Sequence, residues 1–323
     1  MKVLVTGGAG YIGSNMVKKL LEHRHSPVVL DDLSMGHRHF VPKNVPFVKG
    51  DIRKSEDLRS VFKRFKTEAV LHFAASAFVG ESVENPLKYY DNNVIGAVQL
   101  LKAMREAKVA KLIFSSTCAI YGEPKHLPIQ EEDEKKPANP YGRSKLMIEN
   151  ILQDHAAVTD LRYVSLRYFN ACGAHPDGGI GELHKPETHL IPNILKVLTG
   201  KKKQLEIYGD DYATPDGTCV RDYVHVEDLA SAHLLALEAL AKGMKSDVFN
   251  LGCGSGYSVK EIVKAVEKVT GKKVTVKLCA RRPGDPAKLI ATSAKAKKIL
   301  GWKPKYSLEE IIHTAWEWER SKK

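Results

Sequence analysis

KVLVTGGAGYIGSN, residues 2–15, is the segment that first indicates the architecture of this chain. A short apolar run is followed at once by glycines spaced as Gly8-x-Gly10-x-x-Gly13, or with the first glycine at Gly7, and then by helical spacing at 11–23. Glycines in this order let the backbone approach a pyrophosphate, and the positive end of the helix faces that anion. The segment therefore predicts the strand, turn and helix that open a dinucleotide-binding unit.

The rest of the first half continues the alternation of strand and helix. Short apolar runs rich in β-branched residues lie at 2–6, 27–31, 45–50, 69–74, 111–116 and 162–168. Segments with helical spacing lie at 11–23, 55–65, 86–107 and 140–157. Continuous apolar strands that alternate with helices indicate a parallel sheet covered on both faces. The sequence predicts a Rossmann-type, doubly wound α/β fold.

The alternation stops after Asn170, where a long loop occupies 171–188. We expect a helix at 189–199, then short strands, a second helix at 227–241 and a lysine-rich tail. Residues 1–170 are predicted to form an NAD-binding Rossmann domain. Residues 171–323 are predicted to form a smaller mixed α/β domain that binds the substrate, with some later segments returning to the main sheet.

The composition is typical of a soluble globular protein. Hydrophobic residues make up 43% and charged residues 27% of the 323 positions, and no apolar run is long enough for a signal-peptide core or a membrane span. The net charge of +12 is spread over many short lysine clusters without a nucleic-acid-binding motif. The five cysteines are scattered, so we expect thiols in a cytoplasmic protein, with no disulfide and no metal site.

Acidic residues stand at the ends of two predicted strands. Asp31 and Asp32 end the second strand. A carboxylate there accepts hydrogen bonds from the adenosine ribose and repels a 2′-phosphate, which favours NAD over NADP. Asp51 ends the third strand and is expected to contact the adenine.

A tyrosine and a lysine lie four residues apart in NPYGRSK, residues 139–145. Tyr141 and Lys145 leave the same face of one helix, because four residues span just over one turn. A phenol titrates near pH 10, and a fixed positive charge nearby lowers its pKa. The pair is thus a candidate activated tyrosine, although such pairs also occur without a function on solvent-facing helices.

Several motifs in fixed order resemble the extended short-chain dehydrogenase/reductase family. They are TGGAGYIG at 6–13, HFAA at 72–75, DNNVIGA at 91–97, FSSTCAIYG at 114–122, YGRSK at 141–145, SLRYFNACGAHP at 165–176, DGTCVRDYVHVEDLA at 216–230 and RRPGDPA at 281–287. The resemblance covers the chain from residue 1 to about residue 318. Within the family it is most similar to the members that interconvert UDP-glucose and UDP-galactose.

The resemblance implies a reaction and a set of catalytic residues. It implies epimerisation at C4 through a transient 4-keto sugar, with tightly bound NAD that is regenerated in each turnover. Tyr141 would exchange the proton, Lys145 would lower the pKa of Tyr141 and bind the nicotinamide ribose, and Thr117 would hydrogen-bond the reacting oxygen. The family also pairs two subunits through helices matching 86–107 and 140–157, which implies a homodimer.

The resemblance also implies the residues that surround the ligands. Cofactor contacts are expected from Gly7, Gly10, Tyr11, Ile12, Gly13, Asp31, Asp32, Leu33, Ser34, Gly36, Asp51, Ile52, Phe73, Ala74, Ala75, Ser76, Asn92, Ser115, Tyr141, Lys145, Tyr168 and Phe169. UDP-sugar contacts are expected from Thr117, Asn170, His189, Leu190, Tyr208, Arg221, Arg282, Asp285 and Leu289. In this pattern the two arginines bind the diphosphate, Tyr208 lies near the uracil and Leu289 lies near the sugar's C2 substituent.

Two positions depart from the family pattern. Ala77 stands where a lysine that contacts the cofactor is common, and His189 stands where asparagine is common. The histidine can donate a hydrogen bond to a phosphate or be a purely structural residue.

Three other functions share much of this pattern. A nucleotide-sugar 4,6-dehydratase needs an acid and a base directly after the threonine, and Cys118 and Ala119 cannot provide them. A UDP-glucuronate decarboxylase or a uronate or pentose 4-epimerase would share the same dinucleotide and base chemistry. A non-catalytic NAD(H)-binding sensor belongs to a different class, but it would not need the three catalytic positions.

Overall fold

A seven-stranded parallel sheet lies at the centre of the described part of the chain, residues 1–282 and 285–322 of a computed structural model. The strands of the whole structure are β1 (Lys2–Thr6), β2 (Ser26–Asp31), β3 (Phe47–Lys49), β4 (Ala69–His72), β5 (Lys111–Thr117), β6 (Arg162–Tyr168), β7 (Asn170–Cys172), β8 (Leu205–Tyr208), β9 (Val220–His225), β10 (Asp247–Leu251), β11 (Gly256–Ser258), β12 (Val276–Cys279) and β13 (Lys288–Leu289). The order in the main sheet is β3-β2-β1-β4-β5-β6-β10, with every pair parallel. The six strands predicted in the first half are all present, and the Rossmann-type fold is confirmed.

Helices cover both faces of this sheet. They are α1 (Tyr11–Glu22), α2 (Ser55–Phe65), α3 (Val79–Glu84), α4 (Pro86–Tyr89), α5 (Gly96–Glu106), α6 (Pro140–Ala157), α7 (Leu190–Leu198), α8 (Val226–Ala241), α9 (Val259–Thr270), α10 (Ala294–Leu300) and α11 (Leu308–Ser321). The predicted helix at 86–107 consists of α4, a π-helical turn at Tyr90–Ile95 and α5. None of the helices in the described residues is both long and apolar enough to cross a bilayer.

The apolar pattern of the strands divides the core into two layers. Val3 and Val5 of β1 pack in one layer with α1 and α8, whereas Leu4 between them packs in the other with α2, α5 and α6. Successive side chains of a strand point to opposite faces, and all three of these residues are fully buried. This two-sided burial explains why the strands read as continuous apolar runs.

A buried ion pair connects the sheet to α6. Arg167 of β6 lies 2.6 Å from a carboxylate oxygen of Glu149, and both side chains are at least 94% buried. Its guanidinium also donates to the Tyr121 hydroxyl at 2.8 Å and to the Glu131 carbonyl at 2.9 Å. Removing one partner from a buried pair typically destabilises a fold by about 3–5 kcal/mol. The pair therefore fixes α6, and the stretch after β5, against the sheet.

The later part of the chain forms a smaller unit and also contributes to the main sheet. Strands β7, β9, β11 and β13 form a second sheet, β8 pairs with β12, and α7, α9 and α11 pack beside them in a separate apolar cluster. In contrast, α8 packs beside α1, and β10 pairs with β6 at the edge of the main sheet. The chain thus leaves the main sheet after β6 and returns to it at β10.

Candidate active site

The turn after β1 has no room for side chains at two of its glycines. Gly7 has φ +72°, and a Cβ there would lie 2.5 Å from the backbone nitrogen of Ala74. A Cβ on Gly13 would lie 2.2 Å from the carbonyl oxygen of Gly7. Gly10 precedes the first turn of α1 without a side-chain cap, so backbone N–H groups at this terminus are left for an anion.

Asp31 lies against this turn at the end of β2. Its carboxylate accepts hydrogen bonds from the backbone nitrogens of Ala9 at 2.9 Å and Leu33 at 2.8 Å. Burial raises the pKa of Asp31, and these hydrogen bonds oppose that rise. A Cβ on Gly36 would lie 2.6 Å from Asp31 Oδ1, so a glycine is needed there as well. The carboxylate is held in one orientation with lone pairs left for hydroxyl donors.

The other two acidic residues have different surroundings. Asp32 is exposed and accepts from the backbone and hydroxyl of Ser34 at 2.8 and 2.6 Å. Asp51 forms an ion pair with Arg53 at 2.6 Å, and the guanidinium holds the pKa of Asp51 below its usual range. Arg53 also reaches Asp91 at 2.6 Å. The structure thus places an arginine, which sequence reasoning missed, beside the expected adenine contact.

The three catalytic candidates meet where β5 ends and α6 begins. Thr117 is the last residue of β5, and Tyr141 is the second residue of α6. The side chain of Asn139 caps this helix by accepting from the backbone nitrogen of Gly142 at 2.9 Å. Lys145 follows one turn later and is 97% buried. Cap, strand end and helix face therefore fix the three side chains relative to one another.

The electrostatics of this group differ from the expectation. Burial raises the pKa of Tyr141, while a hydrogen bond with Thr117 opposes the rise. Burial lowers the pKa of Lys145 to about 7. Its Nζ donates to the carbonyl of Ser115 at 2.8 Å and lies 4.9 Å from the centre of the Phe114 ring. The expected lowering of the Tyr141 pKa by Lys145 is not seen, because desolvation outweighs other effects and the ammonium points toward β5.

Asn93 in the π-helical turn connects three parts of the site. Its side chain accepts from the backbone nitrogen of Ser76 at 2.8 Å and donates to the Ser76 carbonyl at 3.0 Å. It also donates to the hydroxyl of Ser144 in α6 at 3.1 Å. Its neighbour Asn92, the expected cofactor contact, donates to the Ser76 hydroxyl at 3.3 Å. Sequence reasoning named Asn92 but missed the buried Asn93, although both lie in DNNVIGA.

The remaining cofactor candidates line the same edge of the sheet. The hydroxyl of Ser115 forms a hydrogen bond with that of Tyr168, and Phe73 packs on the ring of His233 at 4.7 Å. Phe169 is 95% buried and packs with Leu289 in a small apolar cluster. The short segment after β4, which includes Ala74, Ala75 and Ser76, closes over the glycine turn. Ile52 is buried in the layer under α2 and α5.

The structure brings most substrate candidates together in a second group. Arg221 of β9 forms an ion pair with Asp285. Leu289 of β13 pairs with Arg221 in the parallel ladder between the two strands. The guanidinium of Arg282 lies 3.9 Å from the centre of the Tyr208 ring. Residues 283–284 of the RRPGDPA motif lie outside the described residues. This group meets the catalytic group through the apolar cluster that Leu289 shares with Cys118 and Phe169.

Three expected substrate residues have structural partners of their own. Asn170 donates its amide to the carbonyl of Asp222 at 2.9 Å. Leu190 is the first residue of α7 and packs on the apolar cluster of the smaller unit. His189 precedes α7 and lies 2.5 Å from Glu182 and 3.1 Å from Glu187. Both glutamates raise the pKa of His189, against the effect of burial, to about 10. The histidine is thus paired with carboxylates.

Comparison with known proteins assigns a family to this arrangement. Residues 3–252 match the model of the NAD dependent epimerase/dehydratase family. The chain belongs to this family. A relative in the family, the UDP-glucose 4-epimerase of Halalkalibacterium halodurans, is 52% identical over 99% of this chain and 96% of its own length.

Solved structures of epimerases resemble the chain over its whole length. The UDP-glucose 4-epimerase from Brucella ovis in complex with NAD is 51% identical, has a TM-score of 0.95, and matches 98% of this chain and 97% of that one. The UDP-glucose 4-epimerase from Bifidobacterium longum in complex with NAD+ and UDP is 41% identical, has a TM-score of 0.94, and matches 100% and 99%. The family resemblance inferred from the motifs is confirmed.

The buried ammonium of Lys145 generates a prediction about stability. Its pKa is about 7 in the folded protein against 10.5 for an unperturbed lysine, so the unfolded chain binds more protons between these pH values. Stability that depends on this group is therefore lost as the pH falls through that window. Lys145→Met removes the titration. The free energy of unfolding of the variant minus that of the wild type should increase as the pH is lowered from about 10 to about 7.

Urea unfolding at several pH values measures this difference. The exposed Lys102→Met is the matched control and should show a constant difference. A flat profile for Lys145→Met would mean that the lysine is solvated or paired in the folded protein.

Proposed function

We propose that this protein interconverts UDP-glucose and UDP-galactose by inverting C4, with NAD as its resident cofactor. The observation that supports this most strongly is the junction of β5 and α6, where Thr117, Tyr141 and Lys145 converge beside the glycine turn of a Rossmann-type sheet. The relatives from Halalkalibacterium halodurans and Lacticaseibacillus casei, each 52% identical over 99% of this chain, carry the name UDP-glucose 4-epimerase. That name favours this reaction over decarboxylation or the epimerisation of uronates or pentoses.

The residues on the glycine turn fit NAD. Gly7 and Gly13 leave no Cβ between the turn and its surroundings, and α1 begins without a side-chain cap. The buried carboxylate of Asp31 suits two ribose hydroxyls and disfavours the 2′-phosphate of NADP. When bound, NAD supplies an acceptor and donor of hydride for C4. The same cofactor appears in the complexes from Brucella ovis and Bifidobacterium longum.

The side chains at the junction of β5 and α6 handle the proton of the C4 hydroxyl. Tyr141 is the general acid–base group, since its phenol can take or give a proton and stands beside Thr117 where β5 meets α6. Thr117 stands close enough to the phenol to oppose the rise of its pKa and can orient the same sugar oxygen. Lys145 lies one turn away on the same helix face, and its ammonium would favour the phenolate on turning from the Ser115 carbonyl toward Tyr141. Its pKa of about 7 lets it exist in either state.

The second group of residues binds the nucleotide end of the substrate. Guanidinium groups bind phosphate oxygens in bidentate fashion, and Arg221 and Arg282 both stand in this group. Asp285 is the present ion-pair partner of Arg221. It would either orient the guanidinium toward the diphosphate or give up its place to the diphosphate. The ring of Tyr208 offers a face for the uracil. With the nucleotide end held by these groups, the sugar would turn to present either face to the cofactor.

A direct experiment tests this function. The purified protein is incubated with UDP-galactose without added cofactor, and UDP-glucose is measured, while the nucleotide released by denaturation is identified. We expect turnover and NAD. Tyr141→Phe should lower the rate at least roughly a hundredfold, the low end for acid–base groups, and should retain NAD.

Tyr163→Phe is the matched control, since this tyrosine lies near the opposite end of β6 and should keep the wild-type rate. Near-normal turnover by Tyr141→Phe would contradict the proton path. Release of NADP would contradict the role of Asp31.

A homodimer is part of the proposal. Large apolar side chains are exposed on α3, α4, the π-helical turn and α6, namely Val79, Val83, Leu87, Ile95 and Met147. The neighbouring Leu101, Ile148 and Leu152 are buried in the layer beneath. A second copy related by a two-fold axis would cover the exposed set.

A cytoplasmic location is also proposed, because the five cysteines are all thiols.

Light scattering should give twice the mass of one chain at micromolar concentration. Leu87→Glu combined with Ile95→Glu should yield a monomer, because each places a charge in the interface. Val158→Glu, at an 80% exposed position at the end of α6, should remain dimeric. A monomeric wild type would refute the assembly.

Leu289 is proposed to limit the width of the sugar pocket. It lies beside Arg221 in the second sheet and contacts the cluster containing Cys118 and Phe169. Leucine gives some space to an acetamido group but no hydrogen bond, so its polar atoms are left partly uncompensated. UDP-N-acetylglucosamine should therefore turn over measurably but more slowly than UDP-glucose.

Leu289→Tyr should abolish the activity on the N-acetylated sugar and spare that on UDP-glucose. Leu289→Ala is the reverse control and should increase the activity on the N-acetylated sugar. Kinetics with both sugars at saturation measure the ratio. If the ratio of the two rates is the same in the wild type and in both variants, Leu289 does not set the width of the sugar pocket.

A further inference from the structure

Four side chains between β7 and α7 form a cluster outside the catalytic group. Glu182, His184, Glu187 and His189 each offer one nitrogen or oxygen, and these four atoms lie within 4.8 Å of one another. His184 Nδ1 lies 3.2 Å from Glu182 Oε1 and 3.8 Å from Glu187 Oε2. His189 Nδ1 lies 2.5 Å from Glu182 Oε1 and 3.1 Å from Glu187 Oε1.

The burial of these groups is that of an internal site with one open side. The side chains of Glu182 and Glu187 are 5% and 2% exposed, and that of His184 is 19% exposed. His189 is 43% exposed, which leaves a path from solvent. Nδ1 of His184 is buried and has no partner in hydrogen-bond geometry, although Glu182 Oε1 lies 3.2 Å away. A metal ion that displaces the proton from this nitrogen can take its place between the carboxylates.

We propose that Glu182, His184, Glu187 and His189 bind one divalent first-row transition metal ion, with Zn²⁺ as the best fit. Imidazole nitrogens and carboxylate oxygens are ordinary zinc ligands. Tetrahedral zinc with bonds of about 2.0–2.2 Å separates its ligand atoms by about 3.4 Å. Of the four separations measured here, 3.1, 3.2 and 3.8 Å lie near that value, whereas the 2.5 Å between His189 Nδ1 and Glu182 Oε1 has to lengthen when the ion enters. Binding of the ion displaces the imidazole protons, and two carboxylates with two neutral imidazoles then balance its charge.

The surrounding contacts hold the ligands in place. Oε1 of Glu187 accepts from the backbone nitrogens of Thr188 at 2.9 Å and His189 at 3.0 Å. The carbonyl of Glu182 accepts from the indole of Trp318 at 3.0 Å. Such second contacts orient ligands and increase metal affinity.

The site is structural, because protein ligands fill all four positions. The ring of His184 packs edge-on against Tyr11, the first residue of α1, with ring centres 6.4 Å apart. It also packs edge-on against Phe78, at 5.6 Å. The ion would fix residues 182–189 against the first turn of α1. This inference does not rest on the proposed function, and its readouts do not require activity.

Metal content and stability test the site in the untagged, full-length protein. After treatment with EDTA and dialysis, Zn²⁺ is added, excess is removed by gel filtration and the bound metal is measured. We expect one ion per chain and a melting temperature raised by roughly 5 °C at a zinc concentration about a hundredfold above the dissociation constant. Mg²⁺, which prefers octahedral oxygen ligands, should give no such increase.

The paired variant His184→Gln/His189→Gln should lose the ion and the increase. The control His126→Gln/His313→Gln, at two exposed histidines, should keep both. Co²⁺ added to the wild type should give the intense visible bands of four-coordinate cobalt, which decides the question even if the paired variant does not fold. If the wild type binds no zinc and its melting temperature ignores zinc and EDTA, the four residues are an internal ion-pair cluster and the proposal is wrong.

Discussion

The absence of any Cβ where Gly7 and Gly13 meet is the constraint on which the rest of the molecule depends. A methyl group at either glycine would lie within 2.5 Å of backbone atoms from Ala74 or Gly7. The contact sets how closely the first turn of α1 approaches the ends of β1 and β4. It also directs Tyr11 toward the smaller unit, where its hydroxyl donates to the carbonyl of Gly173 at 2.6 Å. The geometry of the cofactor site and the contact between the two units therefore both depend on the close packing of this glycine turn.

The position of α6 has two independent supports. Arg167 and Glu149 form a buried ion pair near the middle of the helix, while Asn93 binds Ser144 near its start. Tyr141 and Lys145 lie on the first turns, so both supports bear on the geometry of the reacting groups. Burial there has an energetic cost, because Lys145 loses its preference for the charged state. The two supports of α6 hold Lys145 in its buried position despite this cost.

Local patterns predicted the parts of the molecule that depend on local physics. The six strands, α2 and α6 follow from apolar spacing and caps, and α6 begins and ends where the sequence indicated. The return of β10 to the edge of the main sheet was expected only in general terms, because its partner β6 is distant in sequence. Arg53, Asn93 and the orientation of Lys145 toward Ser115 were missed, since each depends on side chains brought together by the fold. For the glutamate–histidine cluster a signal was present, as Glu-x-His-x-x-Glu-x-His spans 182–189.

The pairing of β6 with β10 affects how the protein is made. The ribosome releases β6 well before β10, and the smaller unit's first strands emerge between them. Until Asp247 can pair beside Val164, the backbone groups along one edge of β6 have no strand partner in the nascent chain. An unpaired apolar edge is a template for association with other chains. In a nascent chain of this protein, that edge stays open over the interval of synthesis that separates these two strands.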